Sequence, residues 1–147
     1  MKTHFNPKNN PRVIIIQKLY GKYFNEDDNI EFPKHRFKKF IKDVVLGTIE
    51  RNDLILIELN NKLGDKFVLE NLDKVFQTIL KAATFELLYK PNTSINIIIK
   101  EYLNSSNFFL EDSQTKYLNA LLDNVGNKLR TSDAWVWINK EIFFKII

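Results

Sequence analysis

Cysteine is absent from the 147-residue chain, glycine and proline occur four times each, and histidine twice. The missing thiols exclude disulfides, thiolate catalysis and any zinc site that needs sulfur ligands. The four glycines, at 21, 47, 64 and 126, stand too far apart to build a phosphate-cradling loop. Neither His4 nor His35 sits at helical spacing from a plausible ligand set, so neither a metal nor a cofactor is expected. No Gly-x-Ser-x-Gly elbow is present. The acidic run Glu26-Asp27-Asp28 lies in a polar stretch, where nothing would raise one carboxyl for acid catalysis. No enzyme is expected from these residues. Uncharged apolar runs of about 18 residues are also missing, so no membrane span is expected. The first seven residues, Met1 to Pro7, lack the apolar segment of a signal peptide, and a cytoplasmic protein fits.

What is present is a folding composition: 44% hydrophobic and 27% charged residues. The length suits one domain over 1–147. Charge is uneven. Residues 1–51 carry a net +5 and residues 52–147 a net −1, within an overall +4. A basic end on a small domain suggests an anionic partner, nucleic acid first, although solubility charge would look the same.

Periodicity predicts helices throughout. Residues 1–9 read as a flexible basic arm. Asn10-Pro11 then forms an N-cap and first helical position. Val13, Ile16, Tyr20 and Tyr23 recur on one helical stripe. Pro33 is expected to open a second helix with Phe37, Phe40, Ile41, Val44 and Val45 on its apolar face. Gly47 is either a stop or a close-packing point. Ile49, Leu56 and Leu63 then mark a third helix or a continuation, closed by Gly64. A long helix over about 71–89 presents Leu72, Val75, Phe76, Ile79, Leu80, Ala83 and Leu87, and Pro91 ends it. Thr93 or Ser94 caps the next helix, where Ile97-Ile98-Ile99 also allows a strand. Asp112-Ser113 is expected to cap a helix carrying Leu118, Leu121, Leu122, Val125 and Leu129. Residues 131–147 form an apolar extension at helical spacing, with Trp135, Ile138 and Ile142. Six or seven helices imply an all-α bundle.

Three features carry potential chemistry. Lys34, Lys38, Lys39 and Lys42 span an arc of about 140° of one helix, either a phosphate-neutralising face or simply its wet side. Lys2, Lys8 and Arg12 sit on or beside the mobile arm. Lys116-Tyr117 opens a helix, where an edge aromatic beside a lysine can stack an unpaired base, or the tyrosine can be core.

Four segments in this order resemble the NusB family of transcription antitermination factors. Arg12-Val13-Ile14-Ile15-Ile16-Gln17-Lys18-Leu19-Tyr20 is similar to the family's R-x-x-A-x-Q-x-L-Y opening. Ile79-Leu80-Lys81-Ala82-Ala83-Thr84-Phe85-Glu86-Leu87 resembles its I-L-R-x-A-x-Y-E-L helix. Ile99-Lys100-Glu101-Tyr102 stands where the family has I-N-E-A. Tyr117-Leu118-Asn119-Ala120-Leu121-Leu122-Asp123 resembles F-V-N-G/A-V-L-D. The likeness covers about residues 10–130.

The resemblance implies an all-α NusB-like bundle in two three-helix lobes and no catalysis. It implies a partnership with the ribosomal small-subunit protein NusE. It further implies binding of boxA-type single-stranded RNA in ribosomal RNA leaders and action in the RNA polymerase antitermination complex. Family members occur as monomers or homodimers. RNA contact is implied for Arg12, Tyr20, Lys116 and Tyr117, with Asp112 flanking that face and Lys2 and Lys8 supplying charge from the arm. Tyr20 falls near the centre of its apolar stripe, so a buried ring with an exposed hydroxyl is expected. The chain departs from the family in its arginine cluster, reduced to Lys8, Asn9, Asn10, Pro11 and Arg12. It departs again in one extra residue near Gln114-Thr115 and in the 131–147 extension. Related NusB-like domains accompany rRNA cytosine methyltransferases, so an accessory RNA-recognition role is an alternative. A helical interaction protein without RNA binding is another.

Overall fold

In the computed structural model, the described residues are 9–27 and 29–131. The sites expected on the arm, Lys2 and Lys8, lie outside them, as does the extension beyond Thr131. The described residues form six α-helices: α1 (Pro11–Phe24), α2 (Lys38–Glu50), α3 (Asn52–Leu63), α4 (Lys74–Tyr89), α5 (Ile95–Ser106) and α6 (Asp112–Arg130). A single 3₁₀ turn, Leu69–Asn71, precedes α4. The Ile97–Ile99 run lies within α5, with Ile98 and Ile99 buried and Ile97 exposed, so the strand alternative falls.

Helix α4 organises the bundle. Seven consecutive residues, Ala82 to Leu88, are buried, and α4 contacts every other helix. A helix apolar around its whole girth must sit inside other helices. The other five wrap it, and their stripes meet in one continuous hydrophobic cluster that includes Ile15, Ile16, Val44, Leu80, Leu118 and Leu122.

The helix ends follow local chemistry. Asn10 Oδ1 accepts from the amides of Arg12 (2.9 Å) and Val13 (3.2 Å), capping α1 ahead of Pro11. Ser94 Oγ accepts from Ile97 N–H, capping α5. Gly64 ends α3 at φ +84°, a left-handed backbone that glycine takes without penalty. The last carbonyls of α4 are met from another helix: Arg130 donates to Leu87 O (2.9 Å) and Lys90 O (3.0 Å). Burial at that position lowers the Arg130 pKa from its usual value.

Several expectations are corrected. Helix α2 starts at Lys38 rather than Pro33, because His35 Nδ1 accepts the Phe37 N–H (2.9 Å) and holds a turn before the helix. The segment after Gly47 is not one continuous helix; it breaks at Arg51. The break resets the helical register, so Ile55 and Leu59 are buried while Ile49 is exposed and Leu56 and Leu63 are half-buried. The cap of α6 is Glu111, one residue before Asp112, and its N–H donates to Gln114 Oε1 (3.0 Å).

Gly47 is a close-packing point. A Cβ there would lie 2.3 Å from the Phe85 ring, whereas one at Gly21 would meet nothing within 4 Å. Gly47→Ala is therefore expected to cost about 1–3 kcal/mol by overpacking. Gly21→Ala should gain about 0.5–1 kcal/mol from helix propensity. Chemical denaturation of the two variants checks the opposite signs.

Candidate nucleic-acid interface

The conserved geometry of any helical stripe leaves open which charges meet, and here the decisive one is buried. Glu86 sits within the inward face of α4 with 0% side-chain exposure. An isolated carboxylate at such a position is costly. Arg12 answers it with both prongs of its fork: Nε donates to Oε2 (3.1 Å) and Nη2 to Oε1 (2.8 Å). The guanidinium lies between the rings of Phe40 (5.1 Å) and Tyr102 (5.5 Å). Burial acts to lower the Arg12 pKa, but the charge and hydrogen bonds of Glu86 outweigh it and leave the value raised. Tyr102 is pushed well up, first by burial and then by the negative charge of Glu86. Ser105 Oγ reaches Asn10 Oδ1 (3.3 Å), joining the α1 cap to α5.

Arg12 was expected to meet phosphate. Its side chain is only 11% exposed and its fork is occupied by Glu86, so in this arrangement it holds α1 to α4. Exposed cations do cluster at this end of the molecule. The Asn9 carbonyl, where the arm leaves the described residues, accepts from His35 Nε2 (2.9 Å). Lys34, Arg36, Lys38, Lys39 and Lys42 are exposed around that turn and the first part of α2. The root of the arm and the lysine-rich face, separate in the sequence, are therefore adjacent.

The other expected residues lie at the opposite end of α4. Helix α1 runs antiparallel to α4: Arg12 pairs with Glu86, while Lys74 Nζ sits 4.7 Å above the Tyr23 ring. Helix α6 runs parallel to it: Tyr117 packs on Phe76 and Arg130 reaches Leu87. Both partners thus bring aromatics to the start of α4. Tyr20 (37% exposed), Tyr23 and Phe24 form one edge-to-face group, and the Tyr20 ring is not buried as expected. The apolar stripe of α1 turns away from this group because its core contacts are made by Val13 to Ile16 and Leu19. Tyr117 is 44% exposed, with its ring centroid 5.7 Å from that of Phe76 and tilted by 42°. Lys116 and Asp112 are exposed beside it.

Arg12 and Tyr117 consequently do not share a surface. Their partners on α4 are ten residues apart, about 15 Å along the axis. Tyr20, Lys116 and Tyr117 do gather at one end, joined through Lys74 and the neighbouring Asp73, which accepts from Gln114 Nε2 of α6 (2.7 Å). Half-buried Lys81 adds a further cation there; burial and then the charge of Lys74 lower its pKa. Tyr23, Phe24, Lys74, Phe76 and Asp73 were not anticipated from the sequence. Phe76 is buried on the apolar face expected for it, whereas Tyr23 is exposed, and nothing local distinguishes a stripe aromatic at an open end from one in the core. The one available signal for the Arg12 partner was Glu86 itself, a charge inside an apolar run.

Comparison with known proteins settles the family. The NusB family model matches residues 8–127. The chain belongs to the NusB family. It is 32% identical to the transcription antitermination protein NusB of Treponema denticola, over 78% of this chain and 82% of that protein. It is 30% identical to that of Maricaulis maris, over 70% of this chain and 72% of that protein. For a relative from Sinorhizobium fredii the matched share of its own length falls to 57%. A solved structure of T. maritima NusB superposes with a TM-score of 0.70 at 23% identity, covering 86% of this chain and 93% of that one. The all-helical NusB fold is thereby shared. Among the described residues no helix is long and apolar enough to cross a membrane, and no group of three or more acidic or histidine side chains is placed to hold a metal.

The ion pair generates a sharp expectation. Glu86→Gln leaves the Arg12 charge buried without its counter-charge and should destabilise by about 3–5 kcal/mol. The double variant Arg12→Met, Glu86→Leu should recover most of that loss. Equilibrium urea unfolding of the single and double variants provides the measurement.

Proposed function

We propose that the chain is a non-catalytic RNA-binding adaptor in transcription antitermination. In this reading it works in the cytoplasm with the ribosomal protein NusE, binds boxA-type single-stranded RNA of ribosomal RNA leaders and acts within the RNA polymerase antitermination complex. The observation that carries the reading is the exposed Tyr117 ring seated on Phe76 with Lys116 beside it. An open aromatic next to a lysine suits an unpaired base and its phosphate. The exposed group Tyr20, Tyr23 and Phe24 supports a protein partner at the same end, since clustered surface aromatics are costly to leave in water. The exposed lysines of α2 supply non-specific attraction from the far end, and Lys2 and Lys8 add charge to the same N-terminal half of the sequence.

A second reading, a helical interaction protein that does not bind RNA, is favoured by one fact: the arginine that matches the family's arginine motif, Arg12, is engaged by Glu86. A stand-alone accessory to an rRNA methyltransferase would use the same RNA surface, and copurification with such an enzyme would favour it.

Titration with a boxA-like RNA, with and without NusE, separates these readings. The adaptor should bind weakly alone and at least tenfold more tightly with NusE. Tyr117→Ala should weaken binding by about 1–3 kcal/mol, the worth of one stacked base. Lys116→Glu should lower the slope of log affinity against log salt by about 0.7 or more, the share of one phosphate on a single strand. No gain from NusE and no change in either variant would favour the second reading. Arg12→Glu is a poor probe, because it places two carboxylates together in the core.

A further inference from the structure

Beside Tyr117 lies a cavity of about 300 Å³ lined by Asn71, Leu72, Asp73, Phe76, Ser113, Gln114 and Tyr117. Its walls have two characters. Phe76 and Tyr117 supply an aromatic floor. Asp73 and Gln114 supply a polar edge whose orientation is fixed. Gln114 Oε1 accepts from the Glu111 amide (3.0 Å), so its Nε2 is the end that donates to Asp73 Oδ2 (2.7 Å). Asp73 stands at the N-cap of α4, where an aspartate normally accepts from the helix amides, yet its carboxylate makes no capping bond. It is held by Gln114 instead and is exposed. A carboxylate can only accept, and one bond from Gln114 leaves most of its acceptor capacity open.

We infer that this cavity reads an unpaired base through donors on its Watson–Crick edge, with guanine, which offers N1–H and N2–H side by side, the preferred occupant. Stacked on Tyr117, guanine presents those two donors to the two oxygens of Asp73, while Gln114 keeps the carboxylate in the plane of the base. Uracil offers one donor, N3–H, flanked by two carbonyl oxygens that meet the same carboxylate, and is disfavoured. Asp73 is then a positioning and specificity residue, distinct from the lysines that attract the backbone, because it discriminates between bases and repels phosphate. The inference rests on the RNA-binding reading and adds to it a base preference.

The test uses the full chain and three fluorescent 12-mer RNAs: oligouridine, the same oligomer with one central guanosine, and the same with inosine, which lacks the 2-amino group. The guanosine oligomer should bind about tenfold more tightly than oligouridine, as one good two-donor contact implies, and inosine should fall between. Asp73→Asn, nearly isosteric and still able to accept from Gln114, should abolish the preference by weakening binding of the guanosine oligomer, with oligouridine bound no more weakly than by the native chain. Gln114→Leu should reduce the preference. Equal binding of all three oligomers by the native chain, or an unchanged preference in Asp73→Asn, overturns the inference while leaving RNA binding intact. Failure of the folded native chain to bind any oligomer overturns both the inference and the RNA reading.

Discussion

The structure depends on the disposal of one negative charge. Glu86 is buried in the last turn of the most enclosed helix, where water cannot solvate it, and the fold is arranged so that Arg12 arrives there with its planar fork and two flanking rings. Lysine could not replace it, since a point charge makes no paired bonds to a carboxylate. The consequences spread from this contact. It fixes the start of α1 against α4, and through Asn10 and Ser105 it fixes α5 as well. A buried pair of this kind gives registry more than net stability, because each partner is costly without the other.

That same contact leaves the surface with two ends of different character. With Arg12 committed inward, the exposed cations around the root of the arm are Lys34, Arg36, Lys38, Lys39 and Lys42. The aromatic end forms some 15 Å away along α4, where antiparallel α1 delivers Tyr20, Tyr23 and Phe24 and parallel α6 delivers Lys116 and Tyr117. Exposed charge and exposed aromatics therefore sit at different places. Long-range charge speeds encounter and fades with salt, whereas stacking and hydrogen bonds act at short range and persist. Cavity, aromatic floor and fixed carboxylate meet only at the second end.

Much of this was legible beforehand because helices announce themselves locally. The stripes of α4 and α6, the Asn10-Pro11 start, the Ser94 cap and the Gly64 stop all rest on interactions between residues a few positions apart. The errors have a common origin in the third dimension. The start of α2 moved because the His35 ring, a side chain rather than a periodic signal, set the turn. The stripe predicts Tyr20 inward, but the stripe of α1 is covered only as far as Leu19 and open beyond it. The exchange of the α6 cap from Asp112 to Glu111 is a shift of one residue, decided by which neighbour Gln114 reaches.

Taken alone, the amino-acid order determined the all-helical class, most of the faces the helices bury, and the family to which they belong, since each of these is written in spacings shorter than a few turns. Only the folded arrangement decided which cations face water. Periodicity identifies the face a residue occupies but not the neighbour that covers it. Arg12 and Lys116 looked alike as surface candidates until α4 brought a buried carboxylate to one and left the other in solvent. The pairing of Asp73 with Gln114, forty-one residues apart, likewise exists only once α4 and α6 lie side by side.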